Sequence, residues 1–226
     1  MSREPRGKRQ QYTVDVVALT PRGDQLAVLL ERRSEGRERS VRWSLPWSAS
    51  RAGESLTDVA QRVIERGAGS APVWSTQVGA FGDGAHPAAA ELSIVYVALV
   101  PMGNDEPDTG ELKWFGLSDL PPLSERQAEM LHESVNAVRD RLDLYPVAFK
   151  LLPATFTLSE LQHMYGLLLG RRLHKASFRR ALAAANLVDP MDEWRSEGRG
   201  RPAQLYRFGT RKRRRGKRGV RFDLLG

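Results

Sequence analysis

Apolar and polar positions change their period several times along the chain. Residues 12–20 are almost continuously apolar and β-branched. Residues 25–31 repeat that pattern after Pro21-Arg22-Gly23-Asp24, which predicts two strands joined by a turn. Residues 34–42 are polar and predict a loop. The period then lengthens: Leu56, Val59, Ala60, Val63 and Ile64 share one face of a helix expected over about 55–66. Ser55 is its expected N-cap, with Asp58 three residues on. Strand patterns return at 74–81 and 92–100, with a loop over 82–91 between them, and a short strand is expected at 111–116 after a turn-rich stretch at 103–110. Residues 124–142 predict a long helix, with Ala128, Leu131, Val135, Val138 and Leu142 at helical spacing.

Beyond Tyr145-Pro146 the pattern is different. Residues 146–152 predict a short helix stopped by Pro153. Thr157 is an expected N-cap with Glu160 three residues later, and Leu158, Leu161, Met164, Tyr165 and Leu168 stand at helical spacing. Gly170 breaks that helix, and a second is expected from His174 or Lys175 to about Asn186. Two helices across a glycine-bearing turn are a helix-turn-helix candidate. A hairpin is expected after it, with Leu187-Val188 as one arm, residues 196–202 as the tip and 203–208 as the other arm. Helix, turn, helix and basic hairpin make a winged helix.

Composition bounds the function classes. The chain has 226 residues, 41% hydrophobic and 27% charged, enough for one large domain or two small ones. It has no Cys, hence no disulfide and no thiolate metal site. The basic stretch at residues 1–10 has no apolar run after it and so does not read as a signal peptide. No stretch is apolar enough to span a bilayer. A soluble, cytoplasmic protein with no membrane partner is expected. Net charge is +8, unevenly spread: residues 1–149 hold 17 Lys/Arg against 21 Asp/Glu, and residues 150–226 hold 18 against 6. Eight of the later cations, Arg211, Lys212, Arg213, Arg214, Arg215, Lys217, Arg218 and Arg221, stand in one tail that is expected to grip phosphates without reading sequence. The bland alternative for that run is a solvated, disordered tail. His86, His132, His163 and His174 show no metal-ligand spacing and read as structural or surface groups.

Residues 53–69 resemble a Nudix box that has lost its metal-binding acids. The full motif is Gly, five residues, Glu, seven residues, then Arg-Glu-hydrophobic-any-Glu-Glu-any-Gly-hydrophobic. Here Glu54, Arg62, Ile64 and Gly69 match it, while three motif glutamates fall on Val63, Arg66 and Gly67. The first motif glycine falls on Ser48 and the closing hydrophobic on Ser70. Leu45-Pro46-Trp47-Ser48 stands where Nudix sequences usually carry Leu-Pro-Gly-Gly. Nudix hydrolysis uses a divalent cation, held by clustered carboxylates, to stabilise phosphate charge and activate water. Positions 63, 66 and 67 share a helix face, and that face offers an apolar side chain, a cation and no side chain. Glu65 lies roughly 200° round the helix from position 63 and does not replace them. No catalytic residue, no metal and no cofactor is expected. An ordinary amphipathic helix after a loop would show the same apolar face.

The second half carries a more specific resemblance. Phe156-Thr157-Leu158, Leu161-Gln162, Phe178-Arg179-Arg180, Gly200-Arg201-Pro202-Ala203 and Tyr206-Arg207-Phe208 resemble the C-terminal domain of the Nudix-related transcriptional regulators, NrtR. With the eroded box, the resemblance runs from about Tyr12 to Phe208. It implies an α+β chain: a Nudix-like α/β/α sandwich for effector binding and dimerisation over 12–145, and a winged helix-turn-helix DNA-binding domain over 146–209. A basic arm at 1–11 and a basic tail at 210–226 flank them. Members of the family are dimeric bacterial repressors of NAD synthesis or salvage genes, and ADP-ribose releases many of them from DNA. The resemblance therefore implies double-stranded operator DNA, a second copy of the chain, and ADP-ribose or another NAD-derived nucleotide as partners.

Candidate DNA contacts are Thr157, Lys175, Ser177, Arg179 and Arg180 around the second helix, Arg199 and Arg201 at the wing tip, and Arg211, Lys212 and Arg213 in the tail. Phe178 and Leu182 read as core. For the effector, family members carry an Arg-Asp-Pro-Arg-Gly-like loop. The matching stretch here is Gly84-Ala85-His86-Pro87-Ala88-Ala89-Ala90, in which Pro87 alone agrees. Arg51, Glu54, Arg62 and Arg66 stand near the expected pocket and would hold a diphosphate by charge. Arg62 as a structural partner of Glu54 is an equal alternative. Other functions left open are regulation of a different pathway, such as sugar catabolism, and an active ADP-ribose pyrophosphatase.

Overall fold

A computed structural model describes residues 11–34, 41–101, 110–142, 145–196 and 202–209. They fall into two compact units, one of residues 1–22 and 27–137, the other of residues 23–26 and 138–226.

The first unit is built on a sheet. Strands β1 (Tyr12–Arg22), β2 (Gln25–Ser34), β3 (Val41–Ser44), β5 (Trp74–Phe81) and β6 (Leu92–Leu99) lie in the order β3-β2-β1-β6-β5. The short β4 (Trp47–Ser48) pairs with β1 and β7 (Leu112–Gly116) pairs with β2, both antiparallel. β1 and β6 run parallel, with Val16 opposite Tyr96 and Ala18 opposite Ala98. Every residue of β1 between Tyr12 and Arg22 is buried, as a central strand covered on both faces requires. Helix α1 (Leu56–Ala68) covers one face through Val59, Ala60, Val63 and Ile64, packed on Val14, Val16, Ala18, Leu29 and Tyr96. Ser55 caps α1 with a complete capping box to Asp58, and Gly69 ends it in the left-handed conformation at φ 67°.

Helix α2 (Glu125–Leu142) shows a phase other than the one expected. Leu131, Val135, Val138 and Leu142 are buried, but Ala128 is exposed, and Arg126, Gln127, Met130 and Ser134 are buried in its place. Several boundaries also differ, three of them by more than a residue in the first unit. Pro21 and Arg22 continue β1, so the turn is Gly23-Asp24 alone. Of the expected polar loop, Ser34 belongs to β2 and Val41 and Arg42 to β3, while residues 35–40 lie outside the described residues. Helix α1 runs two residues past Arg66, because the chain meets no stop before Gly69.

The second unit contains α3 (Val147–Lys150), β8 (Thr155–Thr157), α4 (Leu158–Leu169), α5 (Lys175–Ala185), β9 (Val188–Arg195) and β10 (Ala203–Phe208). The strands form a sheet in the order β8-β10-β9. Phe149, Phe156, Leu161, Tyr165, Leu168, Phe178, Leu182 and Leu205 are its buried core. Phe149 meets the rings of Phe156 and Phe208 at centroid distances of 5.6 and 4.7 Å, and Tyr165 meets Phe178 at 5.7 Å. Strand β8 has no counterpart in the sequence pattern, and β9 is far longer than Leu187-Val188: Asp189-Pro190 and Trp194-Arg195 are extended because they pair with β10, with Met191 to Glu193 carried in a bulge between them. Two helices, a tight turn and a hairpin closed by a third strand make a winged helix.

Candidate ligand site and nucleic-acid interface

The box helix has turned its charges on each other. The Glu54 carboxylate accepts from Arg62 Nε at 2.7 Å and from a second guanidinium nitrogen at 2.8 Å, a fork-to-fork pair. Arg62 also donates to the Ser48 hydroxyl at 3.0 Å and the Ala49 carbonyl at 3.2 Å. The Arg51 backbone N–H donates to Glu54 at 2.9 Å. The Arg62 hydrogen bonds first, then the Arg51 amide, hold the Glu54 carboxyl at about 2, well below its ordinary 4.5. Glu54 and Arg62 are thus partners in tying the 48–54 loop to α1. Arg66 is half-exposed and reaches Glu31 at 3.4 Å, while the Arg51 side chain lies exposed at the loop.

The three positions that lost glutamates differ in surroundings. Val63 is buried in the core beside Ile64. Gly67 is buried too, and a Cβ on it would stand 2.7 Å from Leu29 Cδ2. A side chain at position 67 would therefore have to shift the Leu29 methyl. Among the described residues no group of three His, Asp or Glu side chains is gathered as a metal site would need.

The loop between β5 and β6 is held by two buried groups that no periodicity announces. His86 Nε2 lies 2.8 Å from Asp15 Oδ1, with both side chains fully buried, and Thr13 donates to Asp15 at 2.6 Å. The Ala88 amide donates to His86 Nδ1 at 3.1 Å. A backbone N–H only donates, so Nδ1 presents its lone pair and Nε2–H donates to Asp15. His86 is thereby a structural group. Arg126, buried at the start of α2, donates to the carbonyls of Gly82, Asp83, Ala90 and Glu91 and closes both ends of the same loop. The loop that departs from the family pattern is thus closed by His86 and Arg126.

In the winged helix, Lys175, Arg179 and Arg180 are exposed along α5, and Ser177 is half-buried beside His174 at 3.4 Å. Among the described residues none of these three cations meets a carboxylate. Phe178 and Leu182 point into the core, which turns the 175, 179 and 180 positions outward. Thr157 requires a correction. It is buried, its hydroxyl accepts from the Glu160 amide at 3.2 Å, and the Glu160 carboxylate accepts from the Thr157 amide at 2.6 Å. Its side chain is taken up as the N-cap of α4 and is not presented to a duplex. Arg195 at the end of β9 donates to Glu160 at 2.7 Å, clamping the hairpin to that cap. Burial alone would raise the Glu160 carboxyl; the Thr157 amide and hydroxyl and Arg195 together bring it below its usual range. Across the turn, Gln162 donates to the Leu173 carbonyl at 2.7 Å, and Gly170 takes φ 68°, a conformation that favours glycine. Arg199, Arg201, Arg211, Lys212 and Arg213 lie outside the described residues.

A Nudix-like unit whose box has three motif glutamates replaced, followed by a winged helix with exposed cations on its second helix, defines a DNA-binding regulator class. Family comparison agrees: the profile of the NUDIX domain matches residues 9–134, and that of the NrtR DNA-binding winged helix domain matches residues 148–208. The chain belongs to the Nudix-related transcriptional regulators of the NrtR family. It is 27% identical over 204 residues to the ADPR responsive transcriptional repressor NtrR of Acinetobacter baylyi, covering 87% of this chain and 81% of that protein. It resembles the crystal structure of Shewanella oneidensis NrtR complexed with a 27mer DNA at a TM-score of 0.74 and 29% identity, covering 88% of this chain and 94% of that one. A MutT/nudix family protein from Enterococcus faecalis shares the fold at a TM-score of 0.68 and 21% identity, covering 90% and 89% of the two chains. No helix among the described residues is long and apolar enough to cross a membrane.

Proposed function

We propose that this chain is a homodimeric transcriptional repressor of NAD metabolism genes, in which the Nudix domain senses an NAD-derived nucleotide and does not hydrolyse it. The observation that carries the reading is the contrast within one chain: Lys175, Arg179 and Arg180 exposed on a helix-turn-helix, against a box in which Val63 and Gly67 are core. The DNA-bound Shewanella relative and the ADPR-responsive Acinetobacter relative support the partners.

The charges divide the labour. Residues 12–145 form the effector and dimerisation domain and 146–209 the DNA-binding domain. Lys175, Ser177, Arg179 and Arg180 contact the duplex from α5; Arg199 and Arg201 do so from the wing tip, and the basic tail adds phosphate contacts. Arg62 is held by Glu54, so a diphosphate is left Arg51, and Arg66 in exchange for its half-exposed contact with Glu31. A ligand there acts through unequal affinity for the DNA-bound and released states. ADP-ribose is the first candidate.

Two measurements on the purified chain test this. Footprinting on genomic fragments is expected to give a partly palindromic site, with half-sites roughly one or two helical turns apart, upstream of NAD synthesis or salvage genes. Sites upstream of sugar catabolism genes would redirect the pathway. Incubation with Mg²⁺ or Mn²⁺ and ADP-ribose is expected to yield no AMP above background. Multiple turnover that vanishes on Glu54→Gln would overturn the sensor reading.

A further inference from the structure

The wing carries a surface unsuited to DNA. Trp194 on β9 is 57% exposed, and Asp192 and Glu193 beside it are exposed as well. A β-bulge between Gln204 and Tyr206 leaves Met191 and the exposed Asp192 and Glu193 opposite Leu205 alone. Gln204 opposite Trp194 donates to the Met191 carbonyl freed by that bulge, at 3.1 Å, and accepts from the Tyr206 hydroxyl at 3.1 Å. Trp194 thus stands on a braced platform. β9 is also the edge strand of its sheet, with one side unpaired by β8 or β10. Among the described residues no cation lies within ion-pair distance of Asp189, Asp192 or Glu193. Acids here would repel a phosphate backbone.

The chain supplies an occupant. β10 ends at Phe208, opposite Val188, and Gly209 leaves it bonded to the Leu187 carbonyl, with Asp189 Oδ1 3.5 Å from where its Cβ would stand. Next in the chain comes the cationic run Arg211 to Arg218. It ends in Val220-Arg221-Phe222-Asp223-Leu224, where apolar and charged residues alternate. The 17 residues after Gly209 reach about 55 Å if extended, about twice the length of β9.

We propose that residues 210–226 fold back along β9, setting the cations against Asp189, Asp192 and Glu193 and the Val220 and Phe222 side chains against Trp194. Docked there, the tail is withheld from DNA, and a duplex must compete it off the wing. The tail is then a self-competitor for phosphate, and it adds its contacts to a duplex only after that duplex has displaced it from the wing.

The test needs no operator and stands apart from the assignment of regulated genes. Acrylamide quenching of the full chain, differenced against Trp194→Phe, isolates Trp194 from the four partly buried tryptophans. Protection of Trp194 in the full chain is expected to be lost on deleting 211–226. A synthetic peptide of residues 210–226 is expected to restore it to the truncated chain, and Asp192→Asn with Glu193→Gln to weaken that peptide about fivefold, the scale of two exposed charge pairs. Any duplex DNA is expected to expose Trp194 in the full chain. Equal quenching with and without the tail would overturn the proposal. So would protection that disappears on dilution, which would place the tail on a second copy.

Discussion

Helices α1 and α5 carry the same kinds of residue and use them oppositely. On α1, Arg62 is closed by Glu54, Ser48 and Ala49, Arg66 reaches Glu31, and Val63 and Gly67 are sealed into the core. On α5, Phe178 and Leu182 anchor one face, while Lys175, Arg179 and Arg180 meet no carboxylate among the described residues. A cation already satisfied within the fold contributes to stability; one left solvated contributes to binding, because only it gains a partner when a ligand arrives. The contrast assigns folding to the eroded box and recognition to the helix-turn-helix.

The largest effect that would break this contrast is expected from restoring a box acid. Gly67→Glu must displace Leu29, whose Cδ2 lies 2.7 Å from the new Cβ, and bury a carboxylate. It is expected to lower unfolding free energy by about 2–3 kcal/mol, read by urea denaturation, and to produce no AMP from ADP-ribose with Mg²⁺. A stable, hydrolytic variant would show that the pocket survives. Next in size is Arg180→Ala, expected to weaken operator binding by about 1–3 kcal/mol in a fluorescence anisotropy titration. Arg66→Ala on α1 is expected to leave ligand-free operator affinity unchanged.

How much of the structure is legible in the sequence depends on the range of the interactions. Strand β5 and the caps at Ser55 and Thr157 match the sequence reading, since alternation and a Ser/Thr with an acid three residues on are local signals. Strand β8 and most of β9 escape it, because Asp189-Pro190-Met191-Asp192-Glu193 looks like loop until β10 lies beside it. Pro190 is tolerated there because β9 is an edge. Asp15 with His86 and Arg126 with the 82–91 loop are equally hidden. Each pair joins positions far apart in sequence, and a buried polar pair leaves no periodic trace. Apolar spacing alone puts Ala128 in the core, whereas α2 buries Arg126 to close that loop.

Two smaller effects sharpen the comparison. Thr157→Ala removes the α4 cap and is expected to cost about 1 kcal/mol in the winged helix, read as faster hydrogen exchange of the first α4 amides, with Thr157→Ser largely restoring it. It is expected to weaken operator and random DNA alike, whereas a base contact would favour the operator. The Glu54 pair gives a pH signature. Its folded carboxyl lies near 2 against an ordinary 4.5, so its stabilisation is fully present above about 4.5 and is lost as pH falls toward 2. The urea midpoint of the native chain is expected to exceed that of Glu54→Gln at neutral pH, with the gap closing across that window. A constant gap would mean that the pair is not the cause.

The central claim is that the Nudix unit senses a nucleotide without consuming it. It is tested most directly by monitoring the anisotropy of labelled operator bound to the chain after adding sub-millimolar ADP-ribose with Mg²⁺. The account predicts that anisotropy falls as the protein leaves the DNA and then stays low, because the ligand persists. Recovery of the signal as AMP accumulates, or no fall at all, would contradict it.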